Sequence, residues 1–437
     1  MSLKLEGPGA GRSRAGAVTL GEMFEGLFGA DAPVRFSAYD GSSAGRSDAT
    51  LGFRVNTPRG VSYLATAPGS LGLARAYITG DIDIVGVHPG NPYEMLKLID
   101  EDLQPQRPPM AQAVSWARSL GVKTLIPPPV PDQEVVPRRR RGARHSRERD
   151  ASSISYHYDV SNAFYERVLG PSMTYTCACY PTESASLEEA QAHKYDLVAR
   201  KLDLKPGMRL LDVGCGWGGM VRHAAEHYGV HVIGVTLSRE QATWGQERIK
   251  AGGLDHLAEI RHLDYRDVRE REFDAVSSIG LIEHIGVKNY PAYFSFLRSR
   301  LRPGGRLLNH GITRPDNMHA GLPKRGFIGR YVFPDGELTG SGDIVSAVED
   351  SGLEVQHQEN LRVHYARTLE AWCTNLVDNW DACVAEAGLP IAKVWGLYLA
   401  GSQLGFERNT IQLHQILATR TDSDGHAGYP LRHDFGV

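Results

Sequence analysis

The chain has 437 residues, with 48 basic against 51 acidic side chains and 41% hydrophobic residues. That length is about two to three domains' worth and enough for a sizeable core, while a net charge of −3 predicts no general affinity for nucleic acid. No apolar run approaches the roughly 18 residues of a membrane span, and Met1 to Val18 lacks the apolar stretch of an export signal. Cys177, Cys179, Cys215, Cys373 and Cys383 form no C-x-x-C pair, which fits reduced thiols in a cytosol better than a disulfide framework or a zinc site.

In chain order, Val18, Leu20, Met23, Phe24, Leu27 and Phe28 fall at helical spacing. They predict a short amphipathic helix that either docks on its own domain or touches a membrane. Val34–Tyr39, Leu51–Asn56 and Val61–Ala65 read as strands between Gly, Ser, Asp and Pro, and Leu71–Ile78 and Tyr93–Ile99 as helices. Residues 1–126 are therefore expected to form a small α+β domain without a catalytic signature of its own. Residues 127–150 differ in kind, with a proline cluster followed by Arg138, Arg139, Arg140, Arg141, Arg144, Arg147 and Arg149 and almost nothing apolar. Such composition cannot bury a core and predicts a flexible linker. A solvated tether is the plain reading. Attraction to anionic lipid headgroups comes next, at about 1 kcal/mol per basic residue, and nucleic acid last, because no aromatic residues interleave.

From residue 151 onward the pattern becomes an alternation. Helices are expected at Tyr195–Leu202, Met220–Tyr228, Glu240–Lys250 and Tyr290–Leu301. Strands are expected at Arg209–Val213, His231–Thr236, Ala258–Leu263, Asp274–Ile279 and Gly305–Gly311. This predicts an α/β domain over residues 151–437, a parallel sheet with helices on both faces and ligands at the carboxyl ends of its strands. The stretch that organises it runs from Leu210 to Gly219: an apolar run to Asp212, then Gly214, Gly216 and Gly218, then a helix start. A glycine-rich turn alone is weak evidence, because NAD and FAD folds use similar ones. Here the spacing departs from G-x-G-x-x-G, and Asp212 precedes the turn, where an S-adenosylmethionine (SAM) methyltransferase places it. Thr236, Asp264, Glu283, Asn309, His310 and Ile312 also fall at expected strand ends, so polar side chains converge on one rim.

Several further motifs carry a resemblance. They are His157-Tyr-Asp-Val-Ser-Asn-Ala-Phe-Tyr165, Met173-Thr-Tyr-Thr-Cys-Ala178, Val235-Thr-Leu-Ser-Arg-Glu-Gln241, Asp264-Tyr-Arg-Asp267, Ile282-Glu-His-Ile-Gly-Val-Lys-Asn-Tyr290 and Tyr331-Val-Phe-Pro-Asp-Gly336. In order, from about Ser155 to Arg420, they resemble the cyclopropane-fatty-acid synthase family, which includes bacterial phospholipid cyclopropane synthases and mycolic acid cyclopropane synthases. Ala76-Tyr-Ile-Thr-Gly-Asp81 loosely resembles the extra N-terminal domain of the phospholipid-acting branch. The resemblance implies a class I SAM-dependent methyltransferase fold with added helices that complete a lipid slot. Trp372, Trp380, Trp395 and Tyr398 belong to that region.

It also implies roles. Gly214 and Gly216 would meet the methionine part of SAM, Thr236 would hold the place at the end of the second strand where many methyltransferases put an acidic residue for the ribose, and Asp212 and Leu237 would also belong to the cofactor site. Gln241 would bond the ribose, Asp264 and Tyr265 would border the adenine, and Tyr175 and Thr176 would close over the cofactor. Tyr265 alone would otherwise pass for an aromatic core residue. The sulfonium carbon would be delivered to an alkene in a water-free slot, with Tyr158, Phe164 and Tyr365 as aromatic faces for the positive charge. The base would be bicarbonate, held by the backbone N–H groups of Cys177 and Ile312 and the side chains of His310, Glu283 and Tyr365. Glu283 would pair with His310 and fix its tautomer. Cys177 would serve by position, or simply as a small buried hydrophobe. His284, adjoining Glu283 in a strand or turn, would point away from it, and His223, His227 and His357 receive no role. The expected substrate is an unsaturated phospholipid in the membrane, reached by a cytoplasmic protein held peripherally at the inner face. An anionic lipid surface is a further partner, a homodimer one assembly the reading allows, and nucleic acid is excluded.

Thr176 and Leu281-Ile282 depart from the residues the family often carries and keep a second product open, a methylene branch as in the first step towards tuberculostearic acid. Two readings from other classes remain. A methyltransferase for a small oxygen or nitrogen nucleophile would need a general base and no anion site, and a non-catalytic lipid-binding scaffold would need neither.

Overall fold

The computed structural model describes residues 17–135, 160–318 and 326–436. The arginine-rich run of residues 138–149, and His157, Tyr158 and Asp159 of the first motif, lie outside the described residues. The chain divides into two compact units, Met1–Gln133 and Glu134–Val437.

The first unit holds a four-stranded sheet of order β2-β1-β3-β4, with β1 at Arg35–Ala38, β2 at Ser43–Gly45, β3 at Gly52–Val55 and β4 at Ile82–Val85. Helix α1, Leu20–Phe28, starts in a capping box in which Thr19 and Glu22 satisfy each other's backbone N–H groups. Its Leu20, Met23 and Phe24 are buried, and the Phe24 ring stacks on Phe36 at 4.5 Å. The apolar face read from the sequence is therefore turned into its own unit. Helix α2, Pro58–Thr66, corrects the strand expected at Val61–Ala65. Thr57 is extended and Pro58 stands in the first turn, where its fixed φ suits the helix and its missing N–H is needed by no partner. Five residues were too few to separate a period of 2 from one of 3.6. Helices α3, Ser70–Ile78, and α4, Tyr93–Glu101, follow. Helix α5, Met110–Leu120, was not anticipated; none of its residues is fully buried, and it packs on the core through the half-buried Trp116 and Leu120.

In the second unit α6, Asn162–Leu169, and α7, Leu187–Lys201, precede β5, Arg209–Val213. Then come α8, Gly219–Tyr228; β6, His231–Thr236; α9, Arg239–Ala251; β7, Ala258–His262; and β8, Phe273–Ile279. A single-turn helix α10, Ile282–Ile285, leads to α11, Tyr290–Arg300, and β9, Leu301–Thr313. After α12, Phe327–Tyr331, and α13, Ser341–Asp350, come β10, Glu354–Asn360, and three helices: α14, Arg362–Asp378; α15, Trp380–Ala387; and α16, Leu389–Glu407. Strand β11, Gln412–Thr419, closes the sheet. The seven strands run β10-β11-β9-β8-β5-β6-β7.

Strands β7, β6, β5, β8 and β9 are parallel, as expected. The expectation of a wholly parallel sheet is corrected by β11, which runs antiparallel between β9 and β10. The chain leaves β10 at Leu361, whose N–H donates to the Leu413 carbonyl at 2.8 Å. The excursion through α14 to α16 thus returns to the end it left, and β11 must run the other way. Leu211, Val213, Phe273, Val276, Phe294 and Leu297 pack the core between sheet and helices, which fixes the carboxyl ends of β5, β6, β8 and β9 as one rim.

Candidate active site

At the end of β5, Gly214, Gly216 and Gly218 hold φ of +76°, +54° and +78°, a left-handed region that glycine occupies at least cost. The N–H groups of Gly214 and Cys215 donate to the Val235 carbonyl at 2.9 and 3.0 Å and tie the turn to β6. No atom lies within 4 Å of where a Cβ on Gly216 would stand, and the bare backbone there borders a pocket. Gly214, Gly216, Thr236, Leu237, Gln241 and Tyr265 line it. Thr236 Oγ1 donates to Gln241 Oε1 at 2.8 Å, so the amide carbonyl is engaged and the N–H groups are what Gln241 has to offer a ligand. Tyr265 stands edge-on to Tyr293 and Phe296, each 5.4 Å away, and so forms a fixed wall.

Four residues named for the cofactor do not line this pocket: Asp264, Asp212, and Tyr175 and Thr176, which border a neighbouring one. Both carboxylate oxygens of Asp264 accept from the Arg266 guanidinium, at 2.8 and 2.6 Å, and one also accepts the Arg266 backbone N–H. Arg266, which the sequence reading passed over, reaches the wall of this pocket beside Tyr265, and Asp264 holds it there. Asp212 is buried and accepts from Ser277 Oγ at 2.6 Å. Burial pushes its carboxyl up to about 6, against the lowering effect of Ser277 and Lys194. It braces the turn from below.

Gly280 and His284 border a second pocket as well as the first. All five residues named for catalysis line this second space: Cys177, Glu283, His310, Ile312 and Tyr365, joined by Tyr175 and Thr176. The rest of its wall is mostly apolar, from Ile328, Phe333, Leu338, Leu369, Phe406 and Leu413. Tyr398, on α16, also lines it and accepts from the Tyr175 hydroxyl at 3.0 Å. Behind that pair, Trp372 and Trp395 lie 5.5 and 5.7 Å from the Tyr175 ring. Phe164, named as an aromatic face, is instead buried 5.3 Å from Trp395, behind the pocket wall. Thr176 is held by Lys194, whose Nζ donates to its Oγ1 at 2.9 Å. Lys194 is fully buried, and burial brings its ammonium down to about 8.

The expected Glu283–His310 pair does not form. Glu283 Oε1 accepts the Ile312 backbone N–H at 2.7 Å, so that N–H, expected to face an anion, is engaged by Glu283. The His310 ring meets Gln415, whose Nε2 lies 3.2 Å from its Nδ1. Glu283 sits on the helical turn α10 and His310 on β9, so each finds its nearest partner on a different element. Two buried atoms, Glu283 Oε2 and His310 Nε2, meet no hydrogen-bond partner among the described residues. Leaving such atoms bare is costly. A small oxyanion carrying one proton fits them, since it accepts at one oxygen and donates at another. Burial raises the Glu283 carboxyl to about 7, with the Ile312 and Glu283 N–H groups acting against it. Burial drives His310 far below its ordinary value, aided by Lys194 and Lys201, so the ring is neutral. Burial also raises the Cys177 thiol far above its usual range, and a thiol so protonated is no nucleophile. His284, left without a role by the sequence, stands between both pockets against Phe333 at 5.7 Å.

A family model described as mycolic acid cyclopropane synthetase matches residues 145–416. A probable fatty acid methyltransferase of Mycobacterium tuberculosis is 59% identical over 422 residues, 95% of this chain and 98% of the relative. The cyclopropane-fatty-acyl-phospholipid synthase of Escherichia coli K12 is 36% identical over 269 residues, 62% of this chain and 68% of the relative. The crystal structure of mycolic acid cyclopropane synthase CmaA1 complexed with SAH and CTAB superposes with a TM-score of 0.58 at 33% identity, covering 61% of this chain and 97% of that one. The fold of the second unit is that of class I SAM-dependent methyltransferases.

Proposed function

Because the chain belongs to the mycolic acid cyclopropane synthetase family and is a SAM-dependent lipid methyltransferase, we propose that it adds a methylene carbon from SAM across a cis double bond. The acceptor is an acyl chain of a membrane phospholipid, and the product is a cyclopropane ring. One observation carries this reading. Glu283 Oε2 and His310 Nε2, buried and without a hydrogen-bond partner among the described residues, share an apolar pocket that adjoins the cofactor pocket across Gly280 and His284.

SAM supplies a sulfonium-bound methyl carbon, the strong electrophile that an isolated alkene needs. Bicarbonate, when bound, supplies a base that a cation in contact does not destroy by alkylation. The chain's own residues do the rest. His310 donates from Nε2 and Glu283 accepts at Oε2, which holds a protonated anion in one orientation. Tyr365 and Tyr175 turn aromatic faces to the positive charge that develops on the acyl chain, and the aliphatic wall excludes water that would trap it. Cys177, protonated, fills space. Leu281 and Ile282, which differ from the family's frequent choice, flank the turn after β8, and Leu281 lines the cofactor pocket. We place the reaction at an anionic membrane surface, approached through the arginine-rich segment.

Incubation with SAM and vesicles of unsaturated phospholipid, followed by proton NMR of the acyl chains, tests the reading, because ring and branch have the same mass. Upfield cyclopropyl protons are expected. Vinylidene signals would move the assignment to the methylene branch, and a methylated hydroxyl or amine would end it.

A further inference from the structure

The ring nitrogen of His310 that faces away from the pocket ends a polar ladder across three strands. Glu359 on β10 is the register partner of Gln415 on β11, and Gln415 is the register partner of His310 on β9. Direct cross-strand partners project to the same face of a sheet, and the ladder is closed from above by Lys201, the last residue of α7. Lys201 Nζ donates to Gln415 Oε1 at 2.7 Å and pairs with the Glu359 carboxylate. Gln415 and His310 are 0% exposed and Lys201 is 1% exposed.

The donors and acceptors in this ladder have one consistent arrangement. An ammonium only donates, so it fixes the carbonyl end of the Gln415 amide toward itself. The amide N–H2 must then face His310 Nδ1, 3.2 Å away, and can only donate. Nδ1 is thereby an acceptor, and the proton of a neutral ring belongs on Nε2. We propose that Gln415, gripped by Lys201, is a positioning residue that holds His310 as the Nε2–H tautomer, so that the pocket meets a neutral hydrogen-bond donor. The Glu359 carboxylate balances the Lys201 charge in place, so the ladder delivers a direction of hydrogen bonding without a net charge. This deepens the reading of His310 as an anion donor and rests on it.

The tautomer is read on the free enzyme by two-bond 1H–15N correlation with 15N-labelled histidine, the ring of residue 310 being assigned by its loss in His310→Asn. In the wild-type protein Nε2 is expected to carry the proton and Nδ1 to show the shift of a bare lone pair. In Gln415→Glu a carboxylate faces Nδ1 and should draw the proton there. Its kcat should fall roughly 10–100-fold, the size usual when the outer partner of a working histidine is lost, while SAM affinity measured by calorimetry stays within about twofold of wild type. In Lys201→Met the amide is released to turn over, and both tautomers should appear. A wild-type ring protonated on Nδ1, or a Gln415→Glu ring with an unmoved proton, overturns the proposal; if that variant does not fold, the wild-type spectrum decides alone. Formation of a branch with Nε2–H in place removes the proposed product and leaves this assignment standing. A cyclopropane product with Nδ1–H removes only the ladder.

Discussion

Glu283 has one oxygen on the Ile312 N–H and one without a partner among the described residues, and that asymmetry makes its protonation measurable. The unfolded chain releases this proton near 4.5, the folded chain near 7. Between those values the native state binds more protons than the unfolded one, so the contribution of Glu283 to stability is lost as pH rises through about 7. A carboxyl so displaced costs the folded state about 3 kcal/mol at pH 8 as an upper bound. Glu283→Gln keeps an acceptor for Ile312 and removes the charge. Its thermal midpoint should equal that of wild type at pH 4 and exceed it at pH 8; equal midpoints at both would mean that the carboxylate is better solvated than its burial implies. The same variant should lose turnover by roughly 10²- to 10⁴-fold, the range of a lost acid–base partner, with SAM affinity nearly intact. The acid limb of the wild-type rate profile near pH 7 should vanish with it. Undiminished turnover would remove Glu283 from the reaction.

Strand β5 followed by a turn of three left-handed glycines positions the cofactor pocket, and here conformation and ligand contact can be separated. At Gly216 a Cβ meets nothing, so Gly216→Ala costs the fold only the left-handed strain, about 1–2 kcal/mol. The new methyl projects where backbone borders the pocket, and calorimetry should show SAM affinity reduced about tenfold or more. Unchanged affinity would place the cofactor elsewhere. How legible each element was follows from its surroundings. Strands β5 and β6 have the bounds their sequence predicts, Arg209–Val213 and His231–Thr236, because interior parallel strands are near-continuous apolar runs. Strand β11 was missed although nearly all of it is buried. Its Gln415 and His414 break the apolar pattern, and they do so because they bond His310 and Thr313. Helix α7 begins eight residues before the expected Tyr195, at a Ser186–Glu189 capping box that the sequence displays; reading it would have put Lys194 on a helix beneath Thr176. The five residues named for catalysis came from motif resemblance, and they do share a pocket. Which of them touch depends on the β9–β11 register and on α10 being helical, neither of which spacing reveals.

The whole molecule poses a problem of access. The proposed acceptor double bond lies inside a bilayer, yet among the described residues no helix is long and apolar enough to cross one, and α1 turns its apolar face into its own unit. On the proposed function, the candidate for attachment is charge. The densest positive charge in the sequence is the run Arg138, Arg139, Arg140, Arg141, Arg144, Arg147 and Arg149, in a chain whose net charge is only −3. Near an anionic surface each arginine contributes about 1 kcal/mol, within a Debye length of about 8 Å at physiological salt. Sedimentation with vesicles should show binding that rises with the fraction of anionic lipid and falls as salt is raised from 50 to 500 mM. Replacing Arg138, Arg139, Arg140 and Arg141 by Gln should weaken it about tenfold or more. The expected kcat on detergent-dispersed lipid is that of wild type, while the rate on anionic vesicles at low lipid should fall with the binding. Binding indifferent to salt and to lipid charge, or a substituted protein that binds as wild type does, would reduce the run to a tether and leave the route to the bilayer with the folded units.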